Sequence, residues 1–215
     1  MRLGAGGRIA LFLLLWAPAL GVVFLLDRPV ADWVRHAPLF HRSDWFVPIL
    51  KLPGNFLFTL AVCALLALFH RKRWRAALPL LISGPIVGLV YMFLKWAVGR
   101  RRPVIVDAPF DFHPFAHGLM GLVHAESGLS FPSGHATLAF ATATCLTAVM
   151  PRGAGAFFVV ACAVGAERIL ENAHYVSDVV AGAGLGIVCG WIAIRLVSRL
   201  FSRDINCGSP VSPPP

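Results

Sequence analysis

Lys95, Arg102, Arg168, His135, His174 and Asp178 all fall at the ends of apolar segments, in a chain otherwise poor in charge. An ionisable side chain costs roughly 2.5–3.5 kcal/mol at the centre of a membrane helix and less near its end, so it persists where it has a partner or a task. The six occur in three short strings: Lys95-Trp96-Ala97-Val98-Gly99-Arg100-Arg101-Arg102-Pro103, then Pro132-Ser133-Gly134-His135, then Arg168 followed by His174 and Asp178. Three cations, two imidazoles and one carboxylate suit the transfer of a phosphoryl group. Without a metal, charge on the transferring group must be met by fixed cations and oriented donors.

Arg102 and Arg168 can hold phosphate oxygens through planar forks, and Lys95 adds a point charge. The Ser133 hydroxyl and Gly134 amide stand where a helix begins, a place that favours anions. Glycine there allows close backbone approach. His174 and Asp178 are four apart, hence on one face if that turn is helical. A carboxylate that accepts a hydrogen bond from the N–H of one ring nitrogen leaves the other able to attack phosphorus. Singly, each of these residues reads as a snorkelling anchor or an interfacial histidine. Their order and their shared helix ends favour the joint reading.

The elements that must position them come from composition. The chain has 215 residues, 58% apolar and 13% charged, with a mean hydropathy of +0.75. A soluble domain carries about 25% charged residues, so the expected class is a membrane protein in one piece. Apolar runs occur at 9–26, 56–69, 76–94, 137–149, 154–166 and 179–194. Several are shorter than the 18 or so residues that identify a span alone, but polar motif residues at their ends would extend them. The expected fold is all-α, a polytopic six-transmembrane-helix bundle. The formal charge of +9 does not point to nucleic acid, because the basic residues flank apolar segments and form no stripe. It is assigned to lipid headgroups of the bilayer and an anionic substrate.

Cys63, Cys145, Cys162 and Cys189 lie inside apolar runs, and no CxxC pair exists, so they read as small hydrophobes. Arg2 and Arg8 before an apolar run with Ala17-Pro18-Ala19 partly imitate a signal peptide, but the run continues to Leu26 and fits a retained first helix.

Residues 1–53 are expected to form that helix and an interfacial amphipathic linker, 54–201 the core, and 202–215 a disordered Pro-rich tail. In the linker, Asp27-Arg28-Pro29 offers a helix cap. Val30, Trp33, Val34 and Ala37 then make one apolar face, with Phe40, Trp45 and Phe46 beyond it at headgroup level. His36, His41 and His70 read as anchors.

The dense basic turn 70–75 belongs in the cytoplasm under the positive-inside tendency. Ten of the 19 Lys and Arg residues fall on that side; of the nine opposite, Lys95, Arg102 and Arg168 belong to the strings, which leaves six. Helix parity puts all three strings on one face, the face opposite this turn. Loop 99–131 is long enough to cap a site there. Its His113, His117, His124, Asp107 and Asp111 fall into no metal-ligand spacing, since Pro114 interrupts the first pair and no HExxH exists. No metal and no cofactor is expected, and Arg100 and Arg101 read as headgroup contacts.

At the three strings the sequence resembles the type 2 phosphatidic acid phosphatase superfamily, membrane lipid phosphatases related to vanadium haloperoxidases. That family has Lys, six residues, Arg-Pro; Pro-Ser-Gly-His; and Ser-Arg, five residues, His, three residues, Asp. Lys95 to Arg102-Pro103, Pro132 to His135, and Arg168, His174 and Asp178 match in turn, and the resemblance runs from Lys95 to Gly184.

It implies that His174 is the nucleophile of a phosphohistidine, oriented by Asp178. His135 would be the acid for the departing alkoxide and later the base for water. Lys95, Arg102, Ser133, Gly134 and Arg168 would bind the phosphate. Phosphatidate, phosphatidylglycerophosphate, a polyprenyl diphosphate and a lipid A phosphate all remain open as substrate. A lipid-to-lipid phosphotransferase shares the first half-reaction. A non-catalytic lipid-phosphate binder or transporter would need the cations but not His174. Oligomeric state is left open.

The sequence departs from the family at Glu167, where serine is usual. That removes one hydroxyl donor, and the carboxylate is expected to pair with an arginine such as Arg101 or to point away.

Overall fold

A computed structural model of the chain describes residues 5–36, 46–69, 74–105, 110–116, 118 and 128–206. Each of the six apolar runs forms a helix, and two short amphipathic ones join them, eight α-helices among the described residues. They are α1 (Ala5–Phe24), α2 (Asp27–His36), α3 (Val47–Lys51), α4 (Phe56–Phe69), α5 (Trp74–Val98), α6 (Gly134–Val149), α7 (Ala154–Leu170) and α8 (Val176–Asn206). Tight 3₁₀ turns, Leu52–Gly54 and Pro151–Gly153, lead into α4 and α7.

The core is built around α6, whose residues 136–146 are buried without a break. A helix buried all round must be small or satisfied on every side, and α6 is mostly alanine and threonine. The Thr137, Thr144 and Thr147 hydroxyls donate to carbonyls one turn back, at 2.7, 2.8 and 2.9 Å, so no polar group is left over in an apolar surrounding. Facing it, α8 presents Gly182, Gly186 and Gly190. A Cβ on these would lie 2.7 Å from the Ser133 carbonyl oxygen, 2.2 Å from the Thr137 carbonyl oxygen and 2.8 Å from Thr144 Cβ. Small residues one turn apart thus bring the two backbones into contact, as at membrane helix interfaces. Outside this pair, α1 lies on α8, with Trp16 against Gly184 and the Phe12 and Trp191 rings 5.4 Å apart.

The chain is an integral membrane protein with three to five candidate spans. Trp74–Val98, Pro151–Leu170 and Val176–Phe201 are each long and apolar enough alone. Two bent pairs, α1 with α2 at 49° and α3 through its 3₁₀ turn with α4 at 65°, each qualify as one broken span. Six spans are not reached, because α6 has only 16 residues, a rise of about 24 Å against a hydrocarbon core of about 30 Å. The motif residues Gly134 and His135 do lengthen it beyond the apolar run 137–149, but Ser133 is extended (φ −73°, ψ 113°) and Pro151 closes the other end.

The linker also differs from its expected form. In α2 the buried face is Asp27, Ala31 and Val34, while Trp33 is exposed, so the stripe is rotated from the Val30–Trp33 face. Ala37, Phe40 and Trp45 lie outside the described residues. From Val47 the chain packs inward: Val47 is fully buried, and a Cβ on Gly54 would meet His135 and Val164 at 2.9 Å. At the C-terminal end α8 continues to Asn206, beyond residue 201.

Candidate active site

The first string ends α5 with a glycine stop. Gly99 takes φ +62° and its N–H bonds the Lys95 carbonyl at 2.8 Å, the left-handed cap that satisfies an orphan carbonyl. A side chain there is excluded as well, since a Cβ would lie 1.9 Å from the His113 oxygen. The chain reverses, and loop segments pair back on it through single bridges, Arg100 with Phe112 and Arg101 with Leu129. Arg102 Nε donates to the Leu129 carbonyl at 3.1 Å, which fixes the guanidinium root. Lys95 is buried, its ammonium 5.5 Å from the Tyr91 ring centre.

The second string starts α6. Ser133 stands at its N-cap with no capping bond; its Oγ is buried and has no hydrogen-bond partner among the described residues. Its N–H instead donates to the Asp178 carbonyl at 3.0 Å, tying the start of α6 to the first turn of α8.

The third string surrounds the α7–α8 corner. Asn172 adopts φ 55°, a conformation that asparagine tolerates, and the N–H groups of Ala173 and His174 both reach the Arg168 carbonyl at 3.2 Å. His174 is presented on this corner. Its Nδ1 lies 3.8 Å from Asp178 Oδ2, an ion-pair distance too long for a hydrogen bond, and has no hydrogen-bond partner among the described residues. Burial pushes the imidazole below its ordinary pKa, against the opposing pull of the Asp178 carboxylate. A neutral ring is what a nitrogen nucleophile requires.

Lys95, Arg102, Gly134, His135 and His174 line one cavity of about 440 Å³. Its remaining wall is mostly apolar and comes from the 54–56 turn, Leu138 and the α5 residues Gly84, Val87, Gly88, Tyr91 and Met92. Residues from all three strings therefore meet at one cavity. Ser133, Asp178 and Arg168 stand beside this cavity and are not among its lining residues.

Asp178 is occupied by more than His174. Arg100 donates to it at 2.7 Å, the Tyr175 N–H at 2.8 Å, and the Ser130 hydroxyl makes a further short contact. Arg100 is fully buried, which corrects its expected place among lipid headgroups. Its other fork arm reaches Asp27 at 2.7 Å, and the Tyr175 ring centre lies 4.0 Å away. Asp27, expected to cap its own helix, bonds the N–H and hydroxyl of Ser177 at 2.8 and 2.5 Å and so caps α8. Arg101 remains half-exposed, 3.7 Å from Asp111.

Glu167 pairs with an arginine, but the arginine is its neighbour Arg168 and not Arg101. Arg168 Nε and Nη2 meet the two Glu167 oxygens at 2.6 and 2.7 Å, and Nη2 also bonds Glu171. Lys51 completes the set, 2.5 Å from Glu171 and 3.7 Å from Glu167. The sequence reading missed Asp27, Ser130, Glu171 and Lys51 as neighbours of the site. Only the unusual burden of acidic residues around Arg168 hinted at the last two. Among the described residues, no three His, Cys, Asp or Glu side chains gather as metal ligands.

An all-helical membrane fold with these three strings around one cavity defines a class, and the comparisons agree. Residues 76–202 match the model of the PAP2 superfamily, and the chain belongs to it. Among curated proteins it is similar to the lipid A 1-phosphatase of Rhizobium etli, 37% identical over 123 residues, which are 56% of this chain and 47% of that protein. The chain spans about half the length of the two Rhizobium relatives it matches.

Among solved structures, it is similar to the first transmembrane PAP2 type phosphatidylglycerolphosphate phosphatase from Bacillus subtilis. That likeness has 26% identity and a TM-score of 0.56, and covers 94% of this chain and 98% of that one. The crystal structure of Aquifex aeolicus LpxE shares the fold, with a TM-score of 0.61 at 24% identity over 79% of this chain and 95% of that one.

Proposed function

We propose that this chain is a metal-independent membrane phosphatase that hydrolyses a lipid phosphate or diphosphate through a phosphohistidine on His174. The observation that carries the reading is the joint lining of one cavity by His174, His135, Lys95 and Arg102, with an apolar wall from α5 running away from them. A headgroup needs the first set and an acyl chain the second.

In the first step His174 Nε2 bonds phosphorus and the ester P–O bond breaks, with His135 giving its proton to the departing oxygen. Asp178 accepts a hydrogen bond from the Nδ1–H, which stays on the ring as the ring gains positive charge, and the 3.8 Å gap closes. In the second step His135 takes a proton from water, whose oxygen bonds phosphorus as the N–P bond breaks. Lys95, Arg102 and the α6 N-terminus meet the charge on the phosphoryl oxygens throughout.

The relatives named for lipid A and phosphatidylglycerophosphate favour a phosphomonoester on a large lipid. A sixth crossing by α6, within a locally thinned or protein-lined path, and a site on the non-cytoplasmic side complete the proposal. Phosphate release from phosphatidate, phosphatidylglycerophosphate, polyprenyl diphosphate and lipid A by purified protein in detergent tests it. Turnover of at least one, loss of turnover in His174→Ala, and acid-labile phosphoenzyme in the parent alone are expected. Activity of His174→Ala within tenfold of the parent would remove the nucleophile assignment.

A further inference from the structure

The four-membered cluster behind the cavity has an unusual balance. Arg168 belongs to the phosphate-binding string, yet two carboxylates occupy it, Glu167 through both oxygens and Glu171 through one. Both carboxylates are buried, with side chains 1% and 2% exposed. Arg168 with two acids is a net negative group behind the corner that brings His174 to the cavity, and negative charge there weakens binding of a phosphate dianion in that cavity. The structure supplies the missing charge from a distant part of the chain. Lys51, the last residue of α3, reaches both carboxylates across 120 residues of sequence.

The reach is built in, not incidental. Val47, one turn before Lys51, is fully buried, and Gly54, three residues after it, sits against His135 with no room for a Cβ. The turn that carries Lys51 also continues into the cavity wall at Gly54, Asn55 and Phe56. Lys51 itself keeps a partly exposed side chain (29%), so its ammonium is not fully desolvated and its placement is cheap.

We propose that Lys51 is a positioning residue of the phosphate site: it balances the net negative charge of Arg168 with Glu167 and Glu171, so that the cluster behind the cavity is neutral toward substrate phosphate. This rests on the phosphatase reading above for its substrate. The role belongs to Lys51 because its ammonium reaches both carboxylates, 2.5 Å from Glu171 and 3.7 Å from Glu167. Lys51 touches carboxylates, not the reacting atoms, so its effect falls on phosphate affinity more than on the chemical step.

A charge ladder tests this. Lys51→Met leaves the cluster at −1, Glu171→Gln sets it to +1, and the double variant returns it to zero. Each is measured in detergent for KM and kcat on the best lipid phosphate, and for the Kd of inorganic phosphate by calorimetry. Lys51→Met is expected to raise KM and Kd by about tenfold, the scale of one unit charge near 10 Å at a dielectric constant of about 20, with kcat within about threefold. Glu171→Gln should hold or tighten both constants. The double variant and Lys51→Arg should return to within about threefold of the parent.

A merely structural role for Lys51 gives another pattern: lower yield and thermal stability, unchanged KM and Kd, and a double variant worse than either single one. That pattern would overturn the proposal. Should the parent release phosphate from no lipid while inorganic phosphate still binds in the predicted charge order, the role of Lys51 stands and the hydrolase reading falls.

Discussion

Two arginines near the cavity are each held between two carboxylates, and they differ in what the third party is. Arg100 lies between Asp27 and Asp178, wholly buried, with aromatic rings over its face and serine hydroxyls on its acids. Arg168 lies between Glu167 and Glu171, and the third party is a second cation, Lys51. The first knot keeps an excess of negative charge next to His174; the second is neutral. A histidine that becomes cationic during phosphoryl transfer gains from the first arrangement, and a phosphate dianion tolerates only the second. Identical local pairings thus serve opposite electrostatic ends, decided by one lysine.

The largest test of this difference is Asp178→Asn. It removes the carboxylate that faces His174 Nδ1 and makes the Arg100 knot neutral, so kcat should fall by about a thousandfold or more, as when an orienting carboxylate is lost elsewhere. Inorganic phosphate affinity should stay within a few-fold, because the second knot is untouched. Single-turnover phosphoenzyme formation measures the first quantity and calorimetry the second. A large loss of phosphate affinity would show that the knots are not separate.

Asp27→Ala comes next. It leaves Arg100 with one acid in a site closed to water, and breaking a buried pair typically costs about 3–5 kcal/mol. A fall in Tm and a fall in kcat of about tenfold are expected, both read on protein in detergent, with Asp27→Asn milder because it keeps an acceptor for Ser177. Unchanged stability would mean that Arg100 finds other compensation, and the first knot would lose its claim to be a fixed frame.

The smallest effect is reserved for Glu167→Ser. Glu171 and Lys51 remain, the cluster gains one positive charge, and the family's hydroxyl returns. Steady-state kinetics should show kcat within about fivefold of the parent and tighter inhibition by orthovanadate, a phosphate mimic. A hundredfold loss of kcat would instead make the two-oxygen grip of Glu167 on Arg168 part of the working site, and the knots would be more alike than argued.

The three strings were legible because their chemistry sits within short windows and because helix parity needs no coordinates. Lys95, Arg102, Gly134 and His135 do meet His174, whereas His174 lies near Asp178 from the bend before α8 and not from one face of that helix. What eluded the sequence was long-range: Asp27 with Ser177 spans 150 residues and Lys51 with Glu171 spans 120, and neither acid nor lysine carries a local signature. Arg100 was misplaced for a related reason. Three arginines in a row beside an apolar helix suggest headgroups, and the Gly99 reversal that turns the first inward follows from a positive φ that sequence alone does not reveal. The apolar runs set the six long helices correctly, whereas the length of α6 depended on how its ends are closed.

The backbone contact of α6 with α8 has one more consequence. Where glycines let two helices touch and an amide of one is bonded to a carbonyl of the other, the start of α6 and the corner bearing His174, the proposed nucleophile, are held together. They behave as a single anvil. The opposite wall comes from the 54–56 turn and from α5. Natural or engineered variation can therefore remodel that wall for a different headgroup or chain length while the anvil, and the reaction struck on it, stays the same.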